Sequence, residues 1–148
     1  MIVVYGAYGH TGRFVVAELV ARGFFPVLAG RDEAKLKDLA GAYEEVEIRA
    51  AEVSDPEALD RALTGAKAVI NTAGPFAVTA GPVLEAAARA GIPYVDVAAE
   101  IEANADTFAR AAGLAIPVVP AMAFYGGLGD LLVTAAMGDW TAADEAHV

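Results

Sequence analysis

The feature that most constrains the fold is the opening stretch, Ile2-Val3-Val4-Tyr5-Gly6-Ala7-Tyr8-Gly9-His10-Thr11-Gly12-Arg13, which runs straight into Phe14-Val15-Val16-Ala17. A β-branched apolar run too short for a helix is followed by glycines spaced three apart, and then by an apolar helix-forming segment. That order predicts a strand, a tight turn and a helix whose N-terminus faces the turn. Gly6 is expected to end the strand where a Cβ would obstruct the chain. Gly9 would let backbone approach a diphosphate, and Gly12 would let the helix pack closely on its strand. Gly6, Tyr8, Gly9, His10, Thr11 and Gly12 are therefore the expected cradle for the phosphates of a dinucleotide, with unpaired helix N–H groups as donors. A tight turn without a ligand is the competing reading, because the same spacing also serves simple strand–helix packing.

Apolar runs and helix signals alternate along the rest of the chain. Strands are predicted near 2–5, 26–29, 45–48, 67–70, 93–96 and 116–119. Helices are predicted at about 11–22, 33–40, from Ser54-Asp55-Pro56-Glu57 onward, and at 82–90, 100–112 and 127–137. The first helix would bury Phe14, Val15, Leu19 and Val20, and the fifth would carry Ile101, Ala105, Phe108 and Ala112 on one stripe. Alternation of this kind requires crossover connections, so the expected fold is α/β, a doubly wound parallel sheet of six strands in the order 3-2-1-4-5-6. The expected domain is residues 1–137, and 138–148 read as a tail, either a frayed end or the start of a second domain.

Composition narrows the partners. Of the 148 residues, 57% are hydrophobic, yet charged residues break the apolar runs before any could span a bilayer. Such runs suit strands buried on both faces. The chain opens on a strand with no basic leader, so no targeting segment is expected. The absence of cysteine removes disulfides and thiolate chemistry and fits a cytoplasmic protein. A formal net charge of −10 argues against nucleic acid and anionic membranes, so a phosphate ligand must be held by local donors.

The choice of dinucleotide turns on Leu28-Ala29-Gly30-Arg31. A carboxylate closing the second strand would bond a free ribose 2′-hydroxyl, but Gly30 leaves that place empty and Arg31 offers a fork suited to a 2′-phosphate. NADP is favoured over NAD on this ground, with Lys35 as a second cation and Asp32 as an opposing charge. The alternative is that Arg31 and Lys35 form a solvated helix start. After the third strand, Glu52 and Val53 would border adenine, or Glu52 is merely exposed. After the fourth, Asn71, Thr72 and Ala73 would pass near the cofactor ribose, with Gly74-Pro75 turning the chain away.

No catalytic residue or metal site is assigned. His10, Tyr94, Asp96, Glu100 and Tyr125 lie where strands are expected to end, but they form no recognised catalytic spacing. No tyrosine is followed four residues later by lysine, which weakens a short-chain reductase reading.

The glycine turn, Ala29-Gly30-Arg31, Asn71-Thr72-Ala73-Gly74-Pro75-Phe76 and Tyr94-Val95-Asp96-Val97-Ala98-Ala99-Glu100 together resemble the NADP-binding domain of saccharopine dehydrogenase-like oxidoreductases. The resemblance covers roughly residues 1–137. It implies that Gly6, Gly9, Gly12 and Arg31 bind the diphosphate and 2′-phosphate, and that Asn71 to Pro75 line the nicotinamide side. It also implies a second domain, absent here, that binds a small-molecule substrate. The chain departs from the family pattern at His10, Ala99 and Ala123-Phe124-Tyr125. Surface left uncovered by that second domain would promote homo-oligomers. A non-catalytic module that responds to NADP is the rival from another class.

Overall fold

The structure is a computed structural model that describes residues 1–123, 127–142 and 145. Its elements, in chain order, are β1 (Ile2–Tyr5), α1 (His10–Ala21), β2 (Val27–Gly30), α2 (Glu33–Ala40), β3 (Glu47–Ala50) and α3 (Pro56–Leu63). Then follow β4 (Ala68–Asn71), α4 (Phe76–Ala90), β5 (Tyr94–Asp96), α5 (Ile101–Ala111), β6 (Val118–Val119) and α6 (Gly129–Met137). The strands form one parallel sheet in the order β3-β2-β1-β4-β5-β6. The expected doubly wound topology is therefore present.

The central strands are buried on both faces, and alternation decides which side chain goes to which layer. Val3 and Tyr5 join Val27, Val69, Tyr94 and the apolar faces of α3 and α4 in one cluster. Val4 and Leu28 face the other way, onto Val16 of α1 and Leu36 and Leu39 of α2. At the edge, Arg49 of β3 donates to the carbonyls of Ala62 and Thr64, tying the strand to the end of α3.

Several elements differ from the sequence expectation. α4 begins at Phe76, ahead of the expected start at Pro82, and runs through that proline. Burial of Phe76, Thr79, Ala80, Val83 and Leu84 on both sides of Pro82 outweighs one missing helical hydrogen bond. α3 starts at Pro56 and is capped by Asp55, which accepts from the Ala58 N–H. In α1, Gly12 and Val16 face the sheet, while Phe14 is 67% exposed. Two residues rotate a helix by about 200°, so pressing Gly12 and Val16 inward sends Phe14 to solvent. α5 likewise turns Ala103 and Thr107 inward and leaves Ile101 and Phe108 79% and 61% exposed.

Candidate functional site

The order of the strands reverses at β1, which has β2 on one side and β4 on the other. A crevice opens at the carboxyl ends of the strands there, as the topology requires. It has a volume of about 510 Å³. Twelve of the fourteen sequence-nominated residues line it: Gly6, Tyr8, Gly9, His10, Thr11, Arg31, Glu52, Val53, Thr72, Ala73, Gly74 and Pro75. Gly12 and Asn71 stand just behind its wall, both buried.

The glycine turn is built by close approach. Gly6 has φ of +84°, and a Cβ there would fall 2.7 Å from the Ala73 nitrogen on the loop after β4. A Cβ on Gly12 would fall 2.3 Å from the Gly6 carbonyl oxygen. These two positions let the turn, α1 and the β4 loop meet. Gly6 and Ala7 N–H both donate to the Ala29 carbonyl, at 2.8 and 3.2 Å, and Arg13 Nε donates to the Tyr8 carbonyl at 3.0 Å. Gly9 precedes α1, no side chain caps that helix, and its first turn carries no acidic residue. The N–H groups at its start thus face the cleft without a competing carboxylate, the arrangement that favours a bound anion.

At the β2 end, the Tyr8 ring closes on Gly30, where a Cβ would come within 2.9 Å of Tyr8 Cε1. The Lys35 ammonium lies 5.6 Å from the centre of the same ring. Arg31 is exposed and makes no ion pair among the described residues. Beneath them the Tyr5 hydroxyl donates to the Ala51 carbonyl at 3.1 Å. Burial, helped by the nearby Glu52 charge, pushes that phenol up to about 12. Tyr5 is therefore a brace between β1 and β3.

The β4 end is held from below. Thr72 bonds the Tyr5 carbonyl through both its N–H and its hydroxyl, at 2.8 and 2.9 Å. Asn71 accepts from the Ala73 N–H at 3.1 Å and donates to the Tyr94 hydroxyl at 3.3 Å. Thr79, on α4, donates its hydroxyl to the Ala73 carbonyl. The Tyr94 hydroxyl donates to Asp96 at 2.8 Å, and the Asp96 carboxylate also accepts from Ala98 and Ala121 N–H at 3.0 and 2.9 Å. One buried network thus joins the ends of β4 and β5 to the chain after β6.

The candidate acids and bases separate by this geometry. Tyr94 and Asp96 are both fully buried, satisfy each other and line no part of the cleft; burial, chiefly, drives the Tyr94 phenol far above its ordinary value. Glu100 accepts from Phe76 and Ala99 N–H at 3.2 and 3.1 Å and so caps α4 from a neighbouring loop. Desolvation acts to raise its pKa, but the hydrogen bonds from its own, Phe76 and Ala99 N–H groups outweigh that and hold it below the usual glutamate range. His10 lines the cleft and meets Phe14 edge-on at 5.3 Å. Tyr125 lies outside the described residues. Among the described residues no cluster of carboxylates and histidines is arranged to hold a metal.

Phe76, Val78, Thr79 and Val97 also line the cleft and were not nominated from sequence. Phe76, Val78 and Thr79 reach the cleft because α4 starts six residues ahead of the Pro82 expected from the sequence, and Val97 because it directly follows β5.

A glycine turn at a sheet switch point, an uncapped helix start and a free arginine after β2 define a dinucleotide-binding domain. The sequence profile described as the saccharopine dehydrogenase NADP binding domain matches residues 2–115. This chain belongs to that family, and NADP is its cofactor. A probable mitochondrial saccharopine dehydrogenase-like oxidoreductase of Arabidopsis thaliana is 34% identical over 116 residues, covering 68% of this chain and 26% of the relative. A lipid droplet localized protein of Caenorhabditis elegans is 32% identical over 111 residues, 67% of this chain and 26% of the relative. The matched part of the chain thus spans about a quarter of those relatives. Triphenylmethane reductase of Citrobacter sp., solved with NADP(H), shares the fold at a TM-score of 0.67 and 22% identity, over 80% of this chain and 48% of that one. No helix among the described residues is long and apolar enough to cross a membrane.

Proposed function

We propose that this chain is the cofactor-holding part of an oxidoreductase that transfers hydride between NADP(H) and a small substrate held by a further domain. The observation that carries the reading is the cleft itself: an anion-ready helix start, a free Arg31 at one end and a rigid loop at the other. Gly6, Tyr8, Gly9, His10, Thr11 and Gly12 form the diphosphate cradle in this reading. Arg31 takes the 2′-phosphate, and Glu52 and Val53 flank adenine. Thr72, Ala73, Gly74 and Pro75 face the nicotinamide end, with Asn71 supporting them from behind. When bound, the cofactor supplies the hydride chemistry; the protein holds and orients it.

Pro75, Phe76, Val78 and Val97 give the nicotinamide end an apolar lip, which supports a substrate with apolar character next to the reacting carbon. The buried Tyr94–Asp96 pair is a framework element, so the reading assigns proton transfer to the substrate domain. The lack of cysteine supports a reducing compartment such as the cytoplasm. Exposed Ile101, Phe108, Leu131, Leu132 and Trp140 support self-association of this chain. Residues 1–137 form the nucleotide domain in this reading, and 138–148 lead toward the substrate domain.

Calorimetric titration with NADPH and with NADH tests the proposal. Tighter binding of NADPH is the expected result; equal affinity, or preference for NADH, would remove Arg31 from the 2′-phosphate.

A further inference from the structure

The start of α2 places one carboxylate and one ammonium beside the Tyr8 wall of the cleft. Asp32 uses its two oxygens for different tasks: Oδ1 accepts from the Lys35 backbone N–H at 3.1 Å, while Oδ2 lies 3.4 Å from the Lys35 ammonium. The first bond caps α2 and has no need of a charge, because a neutral asparagine oxygen accepts it equally well. The second contact is an exposed ion pair that sets a carboxylate against the Lys35 ammonium, which also sits 5.6 Å from the centre of the Tyr8 ring. That ring packs on Gly30 and lines the cleft together with Arg31. Of the two cations nearest the end of β2, Arg31 is therefore free and Lys35 is held by a carboxylate.

We propose that Asp32 limits how strongly the site prefers a 2′-phosphorylated dinucleotide, by holding Lys35 and placing a negative charge beside the phosphate position. This rests on the assignment of the 2′-phosphate to Arg31. A 2′-phosphate at Arg31 would offer Lys35 a second anionic partner, and the Asp32 carboxylate would oppose the incoming dianion.

The test separates cap from charge. Asp32→Asn keeps the α2 cap and removes the charge; Asp32→Ala would remove both and is the less informative variant. Titration of the 148-residue chain is expected to show that Asp32→Asn raises the ratio of NADPH to NADH affinity about three- to tenfold, with the gain shrinking at high salt. Lys35→Gln is expected to lower the ratio, and the gain from Asp32→Asn to shrink in the double variant, because the two residues act on one another. A ratio unchanged or lowered in Asp32→Asn overturns this inference alone, provided the parent chain prefers NADPH. A parent chain without that preference overturns the Arg31 assignment and this inference together.

Discussion

The two walls of the cleft are built on opposite principles. On the β2 side, recognition is left to exposed side chains: Arg31 is free, Lys35 and Asp32 pair at the surface, and Glu52 is exposed. On the β4 side, what faces the ligand is mostly backbone and small residues, Thr72 to Pro75, fixed by buried Asn71, Thr79, Tyr94 and Asp96. Exposed charges in water interact weakly and can be exchanged, so the first wall can set selectivity without supporting the fold. Buried polar groups must all be satisfied, so the second wall is rigid and intolerant of change. In the proposed function, one end of the site chooses the cofactor and the other sets its position.

Substitutions should separate these roles, and the largest effect is expected where the walls meet. Gly12→Val would drive side-chain atoms into the Gly6 carbonyl, which a bare Cβ already approaches to 2.3 Å, and is expected to cost ~4 kcal/mol or more and abolish cofactor binding. Chemical denaturation against the parent chain measures it. Asp96→Ala leaves the Tyr94 O–H and the Ala98 and Ala121 N–H groups without an acceptor. A loss of about 3–5 kcal/mol is expected, and a loss below about 1 kcal/mol would show that water replaces the carboxylate and that the wall is less rigid than its geometry implies.

Arg31→Ala should do the reverse: an unchanged melting temperature, with NADPH affinity down about ten- to a hundredfold and NADH affinity much less affected. Equal losses for both cofactors would erase the division of labour between the walls. Glu100 lies between the extremes, a partly solvated cap on a buried helix. Its pKa is lowered in the folded state, so its contribution is present above the ordinary glutamate range and is lost as pH falls through the lower folded value. Glu100→Gln should therefore melt earlier than the parent near neutral pH, with the gap closing as pH falls below the ordinary glutamate range. A gap independent of pH would assign the effect to packing. The smallest effect on stability, within about 0.5 kcal/mol, is expected for Leu131→Asp on exposed α6. Light scattering should nevertheless show less self-association than in the parent chain.

The order of the strands was legible because each short β-branched run is closed by a turn or helix signal, and right-handed crossovers leave few ways to arrange six such units. The ligand end of the sheet was legible for the same reason. Where Gly6 stands between Tyr5 and a helix start, the crevice must open beside it. Hidden were the helix faces and the beginning of α4. Phe14 and Phe108 are apolar and periodic, yet both point to solvent, because small residues at Gly12, Ala103 and Thr107 are what allow α1 and α5 to approach their neighbours. A pattern that counts hydrophobicity reads the large side chain as the buried one, whereas close packing selects the small.

By itself, then, the sequence determined the doubly wound sheet, the glycine turn and the cation after β2, all of which depend on neighbours within a few residues. Only the tertiary structure decided that Tyr94 and Asp96 are buried against one another away from the cleft, that Glu100 caps a helix 24 residues away, and that Asp32 pairs with Lys35 beside Tyr8. Those roles depend on burial and on partners distant in the chain or turned by a helix, and neither is written in local order.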